Sequence, residues 1–536
     1  MWKKHRRILQ FAVVLYLVSC TGCQSNQEEI FSESSETPSQ PSDKKASEDS
    51  IPEIDYDSPN YIGPDESELQ DLEPVENDTL NGELLIKRCS VDDNINFLAQ
   101  EFMQLHPDVK ISFEEALSDS EVMQFSREEI RMKRENYFSR VRMELASGEA
   151  DYLIFGMRNY LDPVQLSKSG LLIDLQPYFD SDPEIDQEEY FSQILSAYTV
   201  DGKLPTIPMS VMYNAVYLNR ELLEKNGIDL SDTVTVTPQN LLDWYETAET
   251  SVDDLNLCFT SPGKDALFST ERLAYMDLLQ KTARFDSPEF VEFLNRTATT
   301  GNSDPELSYD KWEIGLMDSG LFNEQIRFQK TGKLEERYFG PPGSYGYEHY
   351  GRVAQKSHPA LAALEPVINS TLLYLEQPME CVAGPYPLLS SDGKLGLISY
   401  EDFAIPSSCK NPDLAWEFIK YCISPREEER MDFAHFGWPT HYTEYLPLSK
   451  TNLYYQLQDL VKNGNAGAIV TYQFEAFDKG SVKSKVNEIF SLPLVNLNSY
   501  DVDVQEYLDE FYVNELITAE QCAEKIQGRA EIWLNE

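Results

Sequence analysis

Residues Glu83–Glu115 read ELLIKRCSVDDNINFLAQEFMQLHPDVKISFEE, and this stretch decides the fold. Glu83 to Cys89 is a short β-prone run. From Asn94 to Leu105, Ile95, Leu98, Phe102 and Leu105 recur at helical spacing and predict an amphipathic helix. His106-Pro107 ends it, because the ring of a proline disfavours helical backbone at the residue before it. Val109 to Phe113 then alternates as a second strand. A long helix follows over Arg127–Ser147, with Gly148 as its C-terminal cap, and Tyr152-Leu153-Ile154-Phe155 is a third strand. Strand–helix–strand–helix–strand order predicts an α/β body whose sheet is mainly parallel and covered by helices.

Working outward, the N-terminus has another character. Met1–Arg7, MWKKHRR, is a positive cluster, and Ile8–Val18 is almost wholly apolar but too short to span a bilayer. Two cysteines, Cys20 and Cys23, follow at C-x-x-C spacing. A redox pair of this spacing is expected in a strand–helix context, which is missing around them. The residues resemble a bacterial lipoprotein signal, in which the peptide is cut before a cysteine that carries diacylglycerol. Leu17-Val18-Ser19-Cys20 favours Cys20, with Cys23 as the alternative. The stretch to residue 82 is acidic and rich in Ser and Pro through Asp78, and cannot bury enough apolar surface to offset its ordering entropy. The expected layout is a signal peptide over 1–19 and a lipidated, disordered acidic tether over 20–82. It places the body on the extracytoplasmic face of a cell membrane.

The formal net charge of −48 over 536 residues disfavours a nucleic-acid partner, since phosphates would repel it. Cys89, Cys258, Cys381, Cys409, Cys422 and Cys522 show no metal spacing and are expected as buried thiols. No cofactor and no metal site is expected.

Several stretches together resemble the extracellular solute-binding proteins of the family 1 type, the carbohydrate receptors of ABC importers. They are NINFLAQEFMQLHPDVKISFE, LASGEADYLIFG, GLLIDLQPYF, DGKLPTIPMSVMYNAVYLNRELLEKNGI, TPQNLLDWYETAET and FAIPSSCKNPDLAWEFIKYCIS. Their order spans Glu83 to Ser424, with a poor match over 253–365 and beyond 442. The resemblance implies a two-lobe periplasmic-binding-protein-like fold of type II, with a mixed, mainly parallel sheet in each lobe. Lobe 1 is expected over 83–208 and 372–399, and lobe 2 over 212–370 and 403–536. Hinge crossings are expected near Pro208–Asn214, Thr371–Leu373 and Ser399–Asp402. It further implies a monomeric receptor that makes or breaks no bond, captures a small carbohydrate between the lobes and hands it to permease subunits.

Candidate ligand contacts follow from the rule that open α/β sheets receive ligands beyond the carboxyl ends of their strands. After the first strand these are Asp92, Asp93 and Asn94, where either aspartate serves equally as a helix cap. After the third they are Arg158, Asn159 and Tyr160, with Gly156 allowing close backbone approach, and a plain turn before Pro163 is the alternative. Tyr213 and Asn214 lie on the first crossing, Tyr213 as a platform on which a sugar face stacks. Tyr386, Tyr400, Glu401 and Trp438 flank the later crossings or follow them. Tyr217 and Trp244 read as core. The Tyr338–Tyr350 loop is either a lid or a surface loop packed on its own aromatics.

Two other functions compete. A secreted glycan hydrolase needs a carboxylate pair, but the chain has neither G-x-S-x-G nor H-E-x-x-H and only six His. A sensory lipoprotein on the same fold would share every feature above.

Overall fold

The computed structural model describes residues 74–75, 78–89, 93–156, 160–259, 262–300, 318–334, 341–344, 347–348, 351, 358–367, 369–375, 378–426, 445–463 and 478–535. The signal peptide, Cys20, Cys23 and most of the tether lie outside them.

Among the described residues the first sheet has five strands. β1 (Gly82–Arg88) pairs in parallel with β2 (Val109–Glu115) on one side and with β3 (Leu153–Phe155) on the other. Beyond β3 come β12 (Asp402–Ala404) and then β4 (Ile207–Pro208), each antiparallel to its neighbour. The Asp93–Leu105 helix covers one face, burying Ile95, Leu98 and Phe102. The Arg127–Ser147 helix covers the other with Phe138, Val141 and Leu145. Its ends are well determined: Ser126 and Glu129 form a reciprocal capping box, and Gly148 closes the last turn at φ +74°.

The second sheet is built on β5 (Ser210–Asn219), buried along all ten residues. β9 (Ala360–Val367) runs against one side of it, and β6 (Asn256–Cys258) extends the sheet beyond β9. On the other side, β13 (Leu446–Pro447), β11 (Leu395–Ile398) and β10 (Val382–Pro387) meet β5 in turn, and β14 (Leu494–Asn496) pairs with β11. A small hairpin, β7 (Met276–Asp277) with β8 (Thr282–Ala283), stands apart. Every described neighbour of β5 is antiparallel to it, while β14 and β6 pair in parallel with β11 and β9, so this sheet is mixed as expected but its pairings are mainly antiparallel. Coverage on both faces explains why SVMYNAVYLN reads as a run without polar alternation.

The division between the bodies differs from the expectation. β10 and β11 belong to the second sheet, while β12 and the Pro412–Ile423 helix belong with the first. The segment 372–399 therefore does not return to lobe 1, and residues 403–426 do. Only two described passages link the sheets directly: Met209, between β4 and β5, and 399–401, between β11 and β12. The expected crossing at Thr371–Leu373 is instead a helical excursion between two strands of one sheet, with Leu372 buried in the first cluster.

The tether also ends before residue 82. The Val75 amide donates to the Leu105 carbonyl, and Asp78 Oδ2 lies 2.8 Å from His106 Nδ1, which fastens Val75 and Asp78 to the first body. The six cysteines from Cys89 onward are buried free thiols. No helix among the described residues is long and apolar enough to cross a membrane.

At the end of the Pro262–Glu271 helix, Glu271 is buried and accepts the Ser391 amide at 3.0 Å, in the turn between β10 and β11. Burial pushes its carboxyl from 4.5 up to about 7, nearby Asp392 adding to the effect and Ser391 and Arg284 opposing it. As pH rises past 4.5 the unfolded chain ionises first, so this group's contribution fades until the folded carboxyl ionises near 7. Glu271→Gln should therefore gain about 3 kcal/mol relative to the parent between pH 4 and pH 8. Urea unfolding at both pH values measures it, and a pH-independent difference would contradict it.

Candidate functional site

The two passages lie side by side where β12 and β4 extend the first sheet. The Met209 amide donates to the Glu401 carbonyl at 2.6 Å, and the Ser210 hydroxyl donates to the Glu401 carboxylate. The Leu448 amide donates to the Met209 carbonyl at 2.9 Å, and Asn498 Nδ2 to the Ser399 carbonyl at 2.7 Å. Ser210, Ser399, Glu401 and Asp402 are all buried here. Glu401 was a candidate ligand contact, but its carboxylate serves the crossing, where a hydroxyl donor meets the cost of burying its charge.

Gly156, at the end of β3, abuts the same place. Its φ is +67°, its amide donates to the Asp402 carbonyl at 2.8 Å, and a Cβ there would stand 2.8 Å from the Tyr400 carbonyl oxygen. The close backbone approach expected of this glycine is thus made to the second passage. Tyr400 is half-buried and packs edge-on against Tyr445, with ring centroids 6.0 Å apart.

Beside the passages, at the carboxyl edge of β1, a small cavity is lined by Asn94, Met209, Arg426, Ser449, Asn452 and Gln456, among others. Its volume of about 20 Å³ admits one water molecule, so a sugar ring enters only if the facing segments part. Asn94 Oδ1 is shielded from solvent and accepts no hydrogen bond, which leaves an open acceptor for a hydroxyl donor. Arg426 holds one wall, 3.5 Å from Glu101 and donating to the Tyr421 carbonyl at 2.8 Å.

The other expected contacts divide three ways. Asp92, Arg158, Asn159 and Trp438 lie outside the described residues, as does the side chain of Asp93. The helix itself begins at Asp93. Tyr160 is half-buried, stacked on Phe138 with centroids 4.7 Å apart. Tyr213 is only 1% exposed within the apolar cluster, and burial pushes its phenol well above the ordinary range. It has no free face for a sugar, because both sides of β5 are covered. Asn214 is buried between β9 and the segment after β10, its carbonyl accepting the Leu388 amide. Tyr386 pairs across β10 with Val216 and is half-buried against the second body's core, away from either passage. Tyr217 and Trp244 pack in apolar clusters as expected. Within the Tyr338–Tyr350 loop, Tyr347 packs on an apolar cluster, and the loop is otherwise largely outside the described residues.

Met209, Arg426 and Gln456 were missed by sequence reasoning. Nothing in the local pattern marks them, since they meet Asn94 only through long-range packing.

Gly156→Ala should cost about 2 kcal/mol or more, from left-handed backbone strain and the contact with the Tyr400 carbonyl. Denaturant unfolding measures it, and a neutral substitution would show that the close approach is not needed.

Residues 90–300 match the model of the family described as bacterial extracellular solute-binding protein. Against curated proteins the sequence finds no match. Among solved structures, an ABC substrate-binding protein from Listeria monocytogenes in complex with cycloalternan is 14% identical. It covers 85% of this chain and 98% of its own, with a TM-score of 0.47. A family 1 extracellular solute-binding protein from Alicyclobacillus acidocaldarius is 15% identical, covering 87% and 100%, with a TM-score of 0.47. A solute-binding protein of an ABC transporter from Agrobacterium vitis, with bound D-mannitol, is 15% identical, covering 84% and 98%, with a TM-score of 0.45.

Proposed function

Residues 90–300 belong to the bacterial extracellular solute-binding protein family, and from that premise we propose that the chain is a receptor for a small saccharide. It holds the saccharide at the carboxyl edge of the first sheet and delivers it to the permease of an ABC importer. A lipid on Cys20, or on Cys23, tethers it to the outer face of the cell membrane, with the acidic segment as spacer. No bond is made or broken in this reading.

The observation that carries it is the placement of Asn94. Asn94 lines the cavity beside the two passages, where the bodies meet, and its side-chain carbonyl oxygen has no hydrogen-bond partner. A sugar hydroxyl is the donor such an acceptor takes, and half-buried Tyr400, backed edge-on by buried Tyr445, gives nearby aromatic surface. Asp92, Arg158, Asn159 and Trp438 are proposed to complete the site. Closure of the bodies about Met209 and 399–401 would then present the permease with a surface that the open form lacks.

A thermal-shift screen against mono- and oligosaccharides, amino acids and short peptides tests this. A saccharide should raise the melting temperature by mass action, and Asn94→Ala should weaken its affinity roughly tenfold, as for loss of a buried hydrogen bond. Stabilisation by amino acids or peptides and by no saccharide would refute the reading.

A further inference from the structure

Five cationic side chains are buried among the described residues: Lys87, Arg88, Arg134, Arg272 and Arg426. Four face a carboxylate. Lys87 lies 2.8 Å from Glu144, Arg88 3.7 Å from Glu115, Arg272 2.8 Å from Asp501 and Arg426 3.5 Å from Glu101. Arg134 is 7% exposed and has no ion pair among the described residues, and its Nε is shielded from solvent with no acceptor. A guanidinium cannot escape burial by losing its proton, so an anion is the partner that would compensate the charge.

Its position is informative. Ile130, Arg134, Phe138, Val141 and Leu145 are buried positions of one stripe of the Arg127–Ser147 helix, and Arg134 stands where an apolar residue would continue the stripe. One turn further on, Phe138 stacks on Tyr160, just after β3. Its neighbour Tyr137 donates through its hydroxyl to the carbonyl of Glu114, at the end of β2, at 2.8 Å. The N-terminal half of this helix therefore overhangs the carboxyl edge of the first sheet, the side on which open α/β sheets take their ligands. The Asn94 cavity lies at the same edge but belongs to the opposite face, since the Asp93–Leu105 helix packs in a different apolar cluster.

We propose that Arg134 is the anion anchor of the binding site, and that the saccharide it serves is acidic. The planar guanidinium offers paired N–H donors that match an oxyanion, either the carboxylate of a uronic acid or the phosphate of a sugar phosphate. This rests on the receptor reading above and narrows its ligand class.

The test titrates the full-length protein with trigalacturonate, glucose 6-phosphate and neutral maltotriose, reading melting temperature and affinity. Either acidic probe should bind at least about tenfold more tightly than maltotriose, and which one does so identifies the oxyanion. In Arg134→Met the affinity for that probe should fall roughly 10–100-fold while the melting temperature of the unliganded protein is kept or raised. If Arg134→Met does not fold, Arg134→Lys decides, because an ammonium keeps the charge without the paired geometry and should bind the acidic probe several-fold more weakly. Unchanged affinity for the acidic probe in the folded variant would overturn the proposal. Equal or tighter binding of maltotriose would overturn the anion anchor and leave the saccharide receptor standing. Stabilisation by none of the three would overturn both.

Discussion

The protein depends on two strands of chain that cross between its sheets side by side and are bonded to each other. Met209 and Glu401 join their backbones, and the Ser210 hydroxyl on the Glu401 carboxylate adds a charge-assisted bond within a buried setting. Such a bond is strong where water is excluded and costly to leave half-made. It fixes the start of β5, and β5 in turn organises β9, β10, β11 and β13. It also fixes Tyr400, against whose carbonyl Gly156 at the end of β3 must fit. One local arrangement thus sets the relation of both sheets to the edge at which ligand binding is proposed.

The apolar packing supports this. Ile86 and Phe155 of the first sheet share one buried cluster with Val211, Tyr213 and Ala215 of β5 and with Leu395 and Leu397 of β11. The second body keeps a core of its own on the far face of β5, through Val216 and Leu218. Relative motion of the bodies is therefore confined to the neighbourhood of the passages, because opening elsewhere would expose packed hydrocarbon to water.

Much of the fold was legible because its signals are local. The helix over residues 94–105, its proline stop and the capped Arg127–Ser147 helix follow from spacing and termini alone. The division between bodies was not legible, because which sheet β10, β11 and β12 join depends on long-range pairing that no local pattern encodes. The site was legible only in part. The place of Asn94 beside the cavity follows from the edge rule, whereas Tyr213 and Glu401 are buried away from any cleft surface, because a residue on a crossing can face the core as readily as the cleft. Arg134 was not legible, because the Arg127–Ser147 helix is rich in charge all round and only the packing shows that this one is buried.

In the proposed function, two bodies joined at Met209 and 399–401 close on a solute. Spin or fluorescent labels, placed through unnatural amino acids at Met143 on the first body and Val234 on the second, report it, since both positions are well exposed. The distance between the labels should change on addition of a stabilising saccharide, and the change should saturate together with binding. Saturated binding with an unchanged distance distribution would contradict it.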